Sequence, residues 1–351
     1  MPRQTSLWTV AAVATCVGLT AAAEELSPTH LKVLVPESTT PMFRELESPF
    51  WTETVAQASD GRVTADVFAI DQMGIADTAV LRLLKLGMFD MATIAISKMA
   101  GDDPRFEGCD LAGISLDIDT AREACEAYRT VLDRLIQENW NSKVLMITTA
   151  PPQVIWCKPE IGGFADLEGK KVRVFNKSMT DLLEGVGAEP VTINFAEVVP
   201  ALQHGVVDCA VTGSLTGNTA GWPEVTDYIY PMYMGWAIAV HAANLDSWNR
   251  LDPTVQEFLL KQYAAFEDKY WETMQQAMAE ADNCNFGNAA CKMGKLVDMA
   301  LVPVTDEDRA LRKDIIEDSV LKEWFARAGA DAAAEWNETV GPVVGMTAPI
   351  E

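Results

Sequence analysis

Apolar residues in the first part of the chain follow two different spacings. Residues 31–37, 62–69 and 89–95 form short, mostly apolar runs that are typical of buried β-strands. Between them, residues 42–58 and 80–84 carry apolar side chains at the 3.6-residue spacing of helices. The order strand, helix, strand, helix, strand predicts an α/β unit built on a mainly parallel sheet.

A longer amphipathic pattern follows. Its apolar positions fall on one helical face, which predicts one long helix that leads into a strand at residues 143–149. Pro151-Pro152 then ends the pattern. The apolar positions of this helix are Ala124, Cys125, Tyr128, Val131, Leu132, Leu135 and Ile136.

The β/α alternation starts again after the two prolines. Helices are predicted near residues 179–186 and 197–204. Strands are predicted at residues 154–158, 171–175, 190–194 and 209–213. This second series predicts a second parallel-rich sheet.

Two later segments are longer than ordinary elements. The apolar run at 228–243 contains Pro231 and Gly235, which do not suit a central strand because proline removes a ladder donor. We interpret it as a strand that crosses between lobes. Residues 253–282 have the pattern of a helix long enough to brace both lobes. Its apolar positions are Val255, Phe258, Leu259, Phe266, Tyr270 and Met274.

The first residues predict export from the cytoplasm. Arg3, an apolar run at 7–19 and the small residues Ala21-Ala22-Ala23 have the order of a signal peptide that ends at residue 23. The run is shorter than the roughly 20 apolar residues of a membrane span. The sequence therefore predicts a periplasmic protein. The alternative interpretation of these first residues is a buried helix.

The mature chain of roughly 328 residues exceeds what one core usually holds, so two domains are expected. We predict one lobe from residues 24–149 and about 236–275, and a second from 150–235 and about 276–330. Residues 331–351 are predicted to be a C-terminal tail that packs on the lobes. The periodicity thus predicts an α/β protein with two parallel-rich sheets, crossing strands and a long interlobe helix.

The charge excludes one class of partner. The sequence has 51 acidic residues against 27 Lys and Arg, so the mature chain without Arg3 carries about −25. Such a surface repels nucleic acid. An anion would also be repelled at long range, so an anion site must depend on a specific basic residue. We expect a monomer with no nucleic-acid partner.

Six cysteines remain after the signal peptide, an even number in an oxidising compartment. Cys284 and Cys291 bracket a turn-rich stretch that a local disulfide would close. The other predicted pairs are Cys109 with Cys125 and, by elimination, Cys157 with Cys209. Buried free thiols are the alternative.

The usual catalytic and metal-binding patterns are absent from the sequence. His30, His204 and His241 have no ligand spacing, and no nucleophile elbow or phosphate-binding glycine loop occurs. We therefore predict no metal and no cofactor. One basic position stands out, because Arg173 lies near the carboxyl end of the predicted strand in the segment Gly169-Lys170-Lys171-Val172-Arg173-Val174. An arginine near the carboxyl end of a strand suits a carboxylate ligand, although a solvated strand-edge arginine is the alternative.

Several motifs in a fixed order resemble one family, the solute-binding proteins of tripartite ATP-independent periplasmic (TRAP) transporters of the DctP type. The motifs lie at residues 72–74, 87–91, 166–174, 195–208 and 244–251, and the resemblance covers nearly the whole mature chain. It implies a type II binding-protein fold that closes on a small organic carboxylate by a hinge. It also implies delivery of the ligand to the permease subunits in the membrane, without catalysis.

The resemblance further implies site residues. Arg173 would grip the carboxylate and Phe195 would flank the ligand, while Thr212 stands where many relatives have asparagine. Val211-Thr212 replaces the Glu-Trp pair of a cation-dependent branch, which argues against a metal-bridged ligand. Further wall positions are Glu37, Ser38, Gln153, Tyr233 and Trp236, with core packing as the alternative for the aromatic residues. The second basic residue that some relatives place near Gln153 is absent, which favours a ligand with one carboxylate and an uncharged body.

Two alternatives remain at the level of sequence. A binding protein of an ATP-driven transporter would share the lobes but lack the long helix at 253–282. A secreted hydrolase or lyase using acidic residues would turn over its bound carboxylate.

Overall fold

The computed structural model describes Met1 and residues 25–350, so the predicted signal peptide lies outside the described residues apart from Met1. It contains eleven strands in that part of the chain. They are β1 Thr29–Val35, β2 Val63–Ala69, β3 Met91–Ala95, β4 Ser142–Thr148, β5 Gln153–Cys157, β6 Lys171–Val174, β7 Glu189–Thr192, β8 Cys209–Gly213, β9 Tyr228–Tyr230, β10 Ala239–Asn244 and β11 Ala300–Leu301.

The strands form two sheets, as the two β/α series predict. The first has the order β2-β1-β3-β10-β4, and the second has the order β11-β9-β5-β8-β6-β7. Each has parallel neighbours, β1 with β2 and β3 in the first and β6 with β7 and β8 in the second. Each also has one antiparallel strand inserted next to them, β10 in the first sheet and β5 in the second. These two strands enter from the other sheet, and the predicted two-sheet α/β architecture is confirmed.

Helices cover both sheets. Residues 41–58 are helical and include π-helical turns at Phe43–Glu47 and Phe50–Val55. The other α-helices are Ile70–Met73, Val80–Lys85, Ile118–Ala127, Arg129–Trp140, Lys177–Gly185, Val198–Gln203, Ser214–Thr219, Leu245–Arg250, Pro253–Asn285, Asp306–Ile315, Leu321–Ala328 and Ala330–Val344. No helix of the described residues is long and apolar enough to span a membrane.

The predicted single helix through residue 128 is wrong, since two helices meet there. Ile118–Ala127 and Arg129–Trp140 are separated at Tyr128. The Tyr128 ring fills the space beside Gly108, where the Cβ of any other residue would lie only 2.5 Å from the ring. The Tyr128 hydroxyl donates to the Arg105 carbonyl at 3.1 Å. The apolar positions stay buried on both sides of the break, and tertiary contacts hold the Tyr128 side chain at the junction.

The predicted crossing strand at 228–243 is two strands. β9 pairs in the second sheet and β10 in the first, and residues 231–238 connect them without strand structure. Ala237 has φ +47° and Gly235 has φ +140°, which a continuous strand does not accommodate. The segment still crosses between the sheets as expected.

The long helix Pro253–Asn285 is confirmed. It begins after Asp252, whose side chain accepts the Thr254 N–H, and has proline in its first turn. Midway, the Trp271 Nε1 donates to the Ile147 carbonyl of β4 in the first sheet at 2.9 Å. At its end, the Asn285 Nδ2 donates to the Ser214 carbonyl, directly after β8 of the second sheet, at 3.0 Å. The helix thus joins the two sheets.

The six cysteines form the three expected disulfides, Cys109–Cys125, Cys157–Cys209 and Cys284–Cys291. Cys157 and Cys209 lie opposite each other on β5 and β8. The C-terminal helix Ala330–Val344 packs on the first-sheet side, where the Trp336 Nε1 donates to the Gly108 carbonyl. The residue boundaries of the two lobes stay a prediction.

Candidate ligand-binding site

A cavity of about 140 Å³ lies where strand ends of the two sheets face each other. We call it the Arg173 cavity. The carboxyl ends of β1, β2 and β3 contribute residues from one side, and those of β6, β7 and β8 from the other. This is where open α/β sheets place ligands, because the side chains after each strand converge there. The contributing residues include Pro36, Glu37, Ile70, Lys98, Phe175, Phe195 and Thr216.

Arg173 is the central polar residue of this cavity. Its side chain is 1% exposed, its Nε donates to the Ile193 carbonyl at 2.9 Å, and its Nη1 donates to the Val211 carbonyl at 2.7 Å. Among the described residues it forms no ion pair. Desolvation by burial lowers the pKa of Arg173 to about 10, while the nearby Asp77 and Glu37 oppose the shift. A guanidinium has five N–H groups, so three remain for a ligand.

Aromatic rings hold the guanidinium in place. Its Cζ lies 5.3 Å from the Phe175 ring centre and 6.0 Å from that of Trp222. Phe195, the predicted flanking aromatic, stacks on Trp222 with ring centres 5.9 Å apart and also lines the cavity. The rings and the two carbonyls together fix the direction of the fork before any ligand arrives.

A second basic residue, Lys98, reaches the cavity from the end of β3. It pairs with Asp77, and its ammonium lies 5.8 Å from the Phe175 ring centre. Glu37 lies beside this pair, and burial, followed by the charge of Asp77, raises the pKa of its carboxyl. The Lys98–Asp77 pair is neutral as a unit, so Arg173 is the cation of the cavity that has no ion-pair partner among the described residues.

Three further polar side chains line the second-sheet side. The Gln153 Nε2 donates to the Pro151 carbonyl at 2.8 Å, which fixes the amide. Thr212 is 4% exposed, and its hydroxyl has no protein partner among the described residues. The Thr216 hydroxyl is fully buried and also lacks a partner in that part of the chain. A buried hydroxyl group without a partner is costly, so Thr216 is a candidate for a ligand hydrogen bond, and Thr212 is a second candidate because it also lines the cavity.

A buried network underlies the first-sheet side. The His241 Nε2 lies 2.9 Å from the Glu47 Oε1 and 3.2 Å from the Thr93 hydroxyl, and Thr93 lines the cavity. The rings of Tyr263 and Tyr270 meet His241 edge to face, and burial raises the pKa of both tyrosines well above the usual range. This network is satisfied within the protein, which gives the cavity a rigid base.

The crossing segment closes one side of the cavity through Ala237. The Asp110 Oδ1 accepts the Trp236 N–H at 2.8 Å and its Oδ2 accepts the Ile238 N–H at 3.1 Å. Complete burial raises the pKa of Asp110 to about 7, although these backbone N–H groups oppose the shift. One carboxyl therefore holds the left-handed turn at Ala237 in position.

Five of the predicted site residues line the cavity together: Arg173, Phe195, Thr212, Gln153 and Glu37. Three lie elsewhere. Ser38 is turned away, because its N–H and hydroxyl bond to the Asp71 carboxylate at 2.9 and 2.6 Å. Trp236 is fully buried with its Nε1 on the Ser115 carbonyl, and Tyr233 lines a different cavity. We assign no ligand contact to these three.

The sequence interpretation missed Lys98, Asp77 and Thr216. The sequence pattern could have indicated Lys98, because it is the first basic residue after the carboxyl end of the predicted strand at 89–95. Arg173 has a similar place near the end of another strand. Thr216 had none, since its position depends on the turn after β8. No group of three or more His, Cys, Asp or Glu side chains that could hold a metal occurs in residues 25–350.

Known proteins share this fold. The Bordetella pertussis extracytoplasmic solute receptor DctP7, which binds pyroglutamic acid, superimposes with a TM-score of 0.74 at 21% identity, covering 89% of this chain and 99% of that one. The sugar acid binding protein DctPAm from Advenella mimigardefordensis, solved with galactonate, superimposes with a TM-score of 0.78 at 17% identity, covering 91% and 99%. The fold is that of a periplasmic solute-binding protein.

Sequence comparison defines the family. The chain belongs to the bacterial extracellular solute-binding proteins, family 7, which match residues 34–323 and serve TRAP transporters. The sialic acid-binding periplasmic protein SiaP of Vibrio cholerae is 25% identical over 240 residues, 65% of this chain and 71% of the relative. The resemblance drawn from the motifs is confirmed, and the ATP-driven alternative is set aside.

Proposed function

We propose that this protein captures a small organic acid with one carboxylate in the Arg173 cavity and presents it to a TRAP permease. The observation that carries the proposal is Arg173, a buried guanidinium with two donors fixed on carbonyls, three donors unused and no ion pair in the described chain. A buried charge without a counter-ion is costly, and a bidentate carboxylate would remove that cost.

The charges around the cavity favour one carboxylate. Lys98 and Asp77 form a pair that is neutral as a unit, and burial raises the pKa of the Glu37 carboxyl. Arg173 is then the cation of the described lining that has no ion pair, so a ligand with one carboxylate would give it a partner, whereas a second carboxylate would meet no unpaired cation there. The acids named for DctP7 and DctPAm each have a single carboxyl group.

The size of the cavity favours a compact ligand. A volume of about 140 Å³ resembles that of an engineered cavity of roughly 150 Å³ that accommodates benzene. A ring or short chain fits this space. Phe175 and Phe195 would contact its apolar parts, and the hydroxyl groups of Thr212 and Thr216 would bond to its polar groups.

The proposal includes the setting of the protein. A signal peptide at residues 1–23 would export it to the periplasm, where three disulfides are stable. It would act there as a monomeric receptor without catalytic turnover, metal or cofactor, and its acidic surface would exclude nucleic acid. The two sheets would close on the ligand about the two crossing segments that connect them, residues 149–152 and 231–238.

The ligand can be identified directly. Gently purified protein is denatured and the released small molecules are identified by mass spectrometry; we expect one compact monocarboxylate. Calorimetry with that acid then compares the parent with Arg173→Ala. Loss of charge-assisted hydrogen bonds should weaken binding by about 10-fold to 150-fold.

Lys171→Ala is the matched control, because Lys171 lies two residues earlier on the same strand and is exposed. It should bind as the parent does. A folded Arg173→Ala protein with parental affinity would refute the site assignment. Conversion of the bound acid by the purified protein would instead favour the hydrolase or lyase alternative.

A further inference from the structure

A second cavity, which we call the Arg312 cavity, lies on the opposite side of the crossing segments. It has a volume of about 490 Å³ and is bordered by the end of the long helix, by β9 and by residues 301–312. Consecutive residues of one segment face different cavities. Gln153 lines the Arg173 cavity, whereas Pro152 and Val154 line the second one. This follows from the alternation of side chains along a strand.

Arg312 is the unusual residue of this second cavity. Its side chain is 5% exposed, and its guanidinium forms no hydrogen bond or ion pair with the described residues. Its Nε is fully buried and unsatisfied. Desolvation, followed by the charge of Arg309, lowers the pKa of Arg312 to about 10. Within residues 25–350 this buried cation is therefore not hydrogen-bonded to an acceptor.

The nearest acidic residue on the same helix does not help. Asp308 precedes Arg312 by one helical turn, but its carboxylate accepts the Phe164 N–H at 2.8 Å and the Thr305 N–H at 2.9 Å. Asp282 also lines the cavity, and burial raises the pKa of its carboxyl, which disfavours its charged form. Arg309 adds a second cation to the lining. The cavity therefore has a net positive lining inside a strongly acidic protein.

The rest of the lining is mainly apolar. It is formed by Leu116, Pro152, Val154, Ile229, Pro231, Met232, Met278 and Phe286, with the Tyr233 ring beside them. A concave apolar surface with a few convergent polar groups is the usual form of a small-molecule site, and its volume lies in the usual range. The lining favours an anion that carries an apolar body.

We infer that the Arg312 cavity is a second ligand site, which binds a small organic carboxylate with an apolar body through the Arg312 guanidinium. The carboxylate satisfies the donors that the protein leaves unpaired, and the body contacts Pro231, Met232 and Met278. Because Pro152 and Pro231 belong to the crossing segments, an occupied site contacts the connection between the two sheets. The inference does not depend on the ligand of the Arg173 cavity.

Benzoate is the probe, and neutral benzamide is its uncharged counterpart. Calorimetry is performed on the Arg173→Ala protein, so that binding at the first site is removed. We expect saturable benzoate binding and at least about 10-fold weaker benzamide binding. Adding Arg312→Met should lower the benzoate affinity by about 10-fold or more, and Arg312→Lys should fall in between because it keeps the charge but loses the planar fork.

Lys313→Met is the matched control, since Lys313 is the next residue on the same helix, is exposed and pairs with Glu317. It removes the same charge and should leave benzoate binding unchanged. Thermal melting checks that each variant is folded. Benzoate binding that is equal with and without Arg312→Met, or no saturable binding below about 1 mM, would overturn the inference.

Discussion

Each of the two cavities contains a buried arginine, but the two guanidinium groups have different surroundings. Arg173 lies near the carboxyl end of β6, and two carbonyls and two aromatic rings fix its fork. Arg312 lies on a helix outside the sheets, and its guanidinium has no hydrogen bond to the described protein. Burial lowers the pKa of both to about 10.

The difference concerns preorganisation. A fork that is already oriented loses little conformational freedom on binding, so Arg173 suits a ligand that must be selected and held. The Arg312 fork has no such bonds, so ordering it on binding costs side-chain entropy and lowers the net binding free energy. Desolvation lowers the pKa of both arginines, whereas only the Arg173 side chain forms hydrogen bonds with the described protein.

The largest expected effect concerns Asp110, which holds the crossing segment between the two cavities. Its pKa rises from 3.8 to about 7 on folding, so the folded state binds this proton more tightly than the unfolded chain. Its stabilising contribution is complete below about pH 4 and is lost as the pH rises through about 7. A shift of this size corresponds to on the order of 4 kcal/mol.

Urea unfolding of Asp110→Asn and the parent at about pH 5 and about pH 8 measures this contribution. The substitution cannot titrate, so the stability of the variant relative to the parent should be higher at the higher pH. An identical stability difference at both pH values would show that Asp110 does not titrate in this range.

The next effect separates the two arginines by stability. Arg173→Met leaves the Ile193 and Val211 carbonyls without their donor, and we expect the free energy of unfolding to fall by about 1–3 kcal/mol. Urea unfolding of the ligand-free protein measures it. A variant as stable as the parent would mean that these two bonds contribute nothing net.

Arg312→Met should act in the opposite direction. It removes an unpaired buried charge and no hydrogen bond, so the ligand-free protein should gain about 1 kcal/mol or more. The same unfolding measurement applies, with Lys313→Met expected to change stability little. If Arg312→Met destabilises the ligand-free protein as much as Arg173→Met does, the contrast between the two arginines is lost.

The smallest expected effect concerns Thr216. Its buried hydroxyl has no partner in the described protein, so Thr216→Val should not destabilise the ligand-free state. If the hydroxyl bonds to the ligand in the Arg173 cavity, affinity should fall by about 2-fold to 10-fold, as calorimetry would measure. Thr219→Val, on the same helix but outside the cavity lining, is the control. Parental affinity of Thr216→Val would remove Thr216 from the site.

Much of this protein follows from its sequence alone. The spacing of apolar residues reports which face of each segment is buried, and this predicted the two β/α series and the helix Pro253–Asn285. Arg173 was identifiable because it lies near the carboxyl end of a strand, where open sheets bind ligands.

Only the tertiary structure decided which side chains meet. The helix ends at Tyr128 because Gly108 leaves room for its ring, and the run at 228–243 divides because Asp110 holds the turn at Ala237. Lys98 and Asp77 come from different elements, and Arg312 remains unpaired because Asp308 is already bonded to Phe164 and Thr305. Periodicity records the burial of each residue against an unspecified partner, whereas pairing depends on distances between elements that are far apart in the sequence.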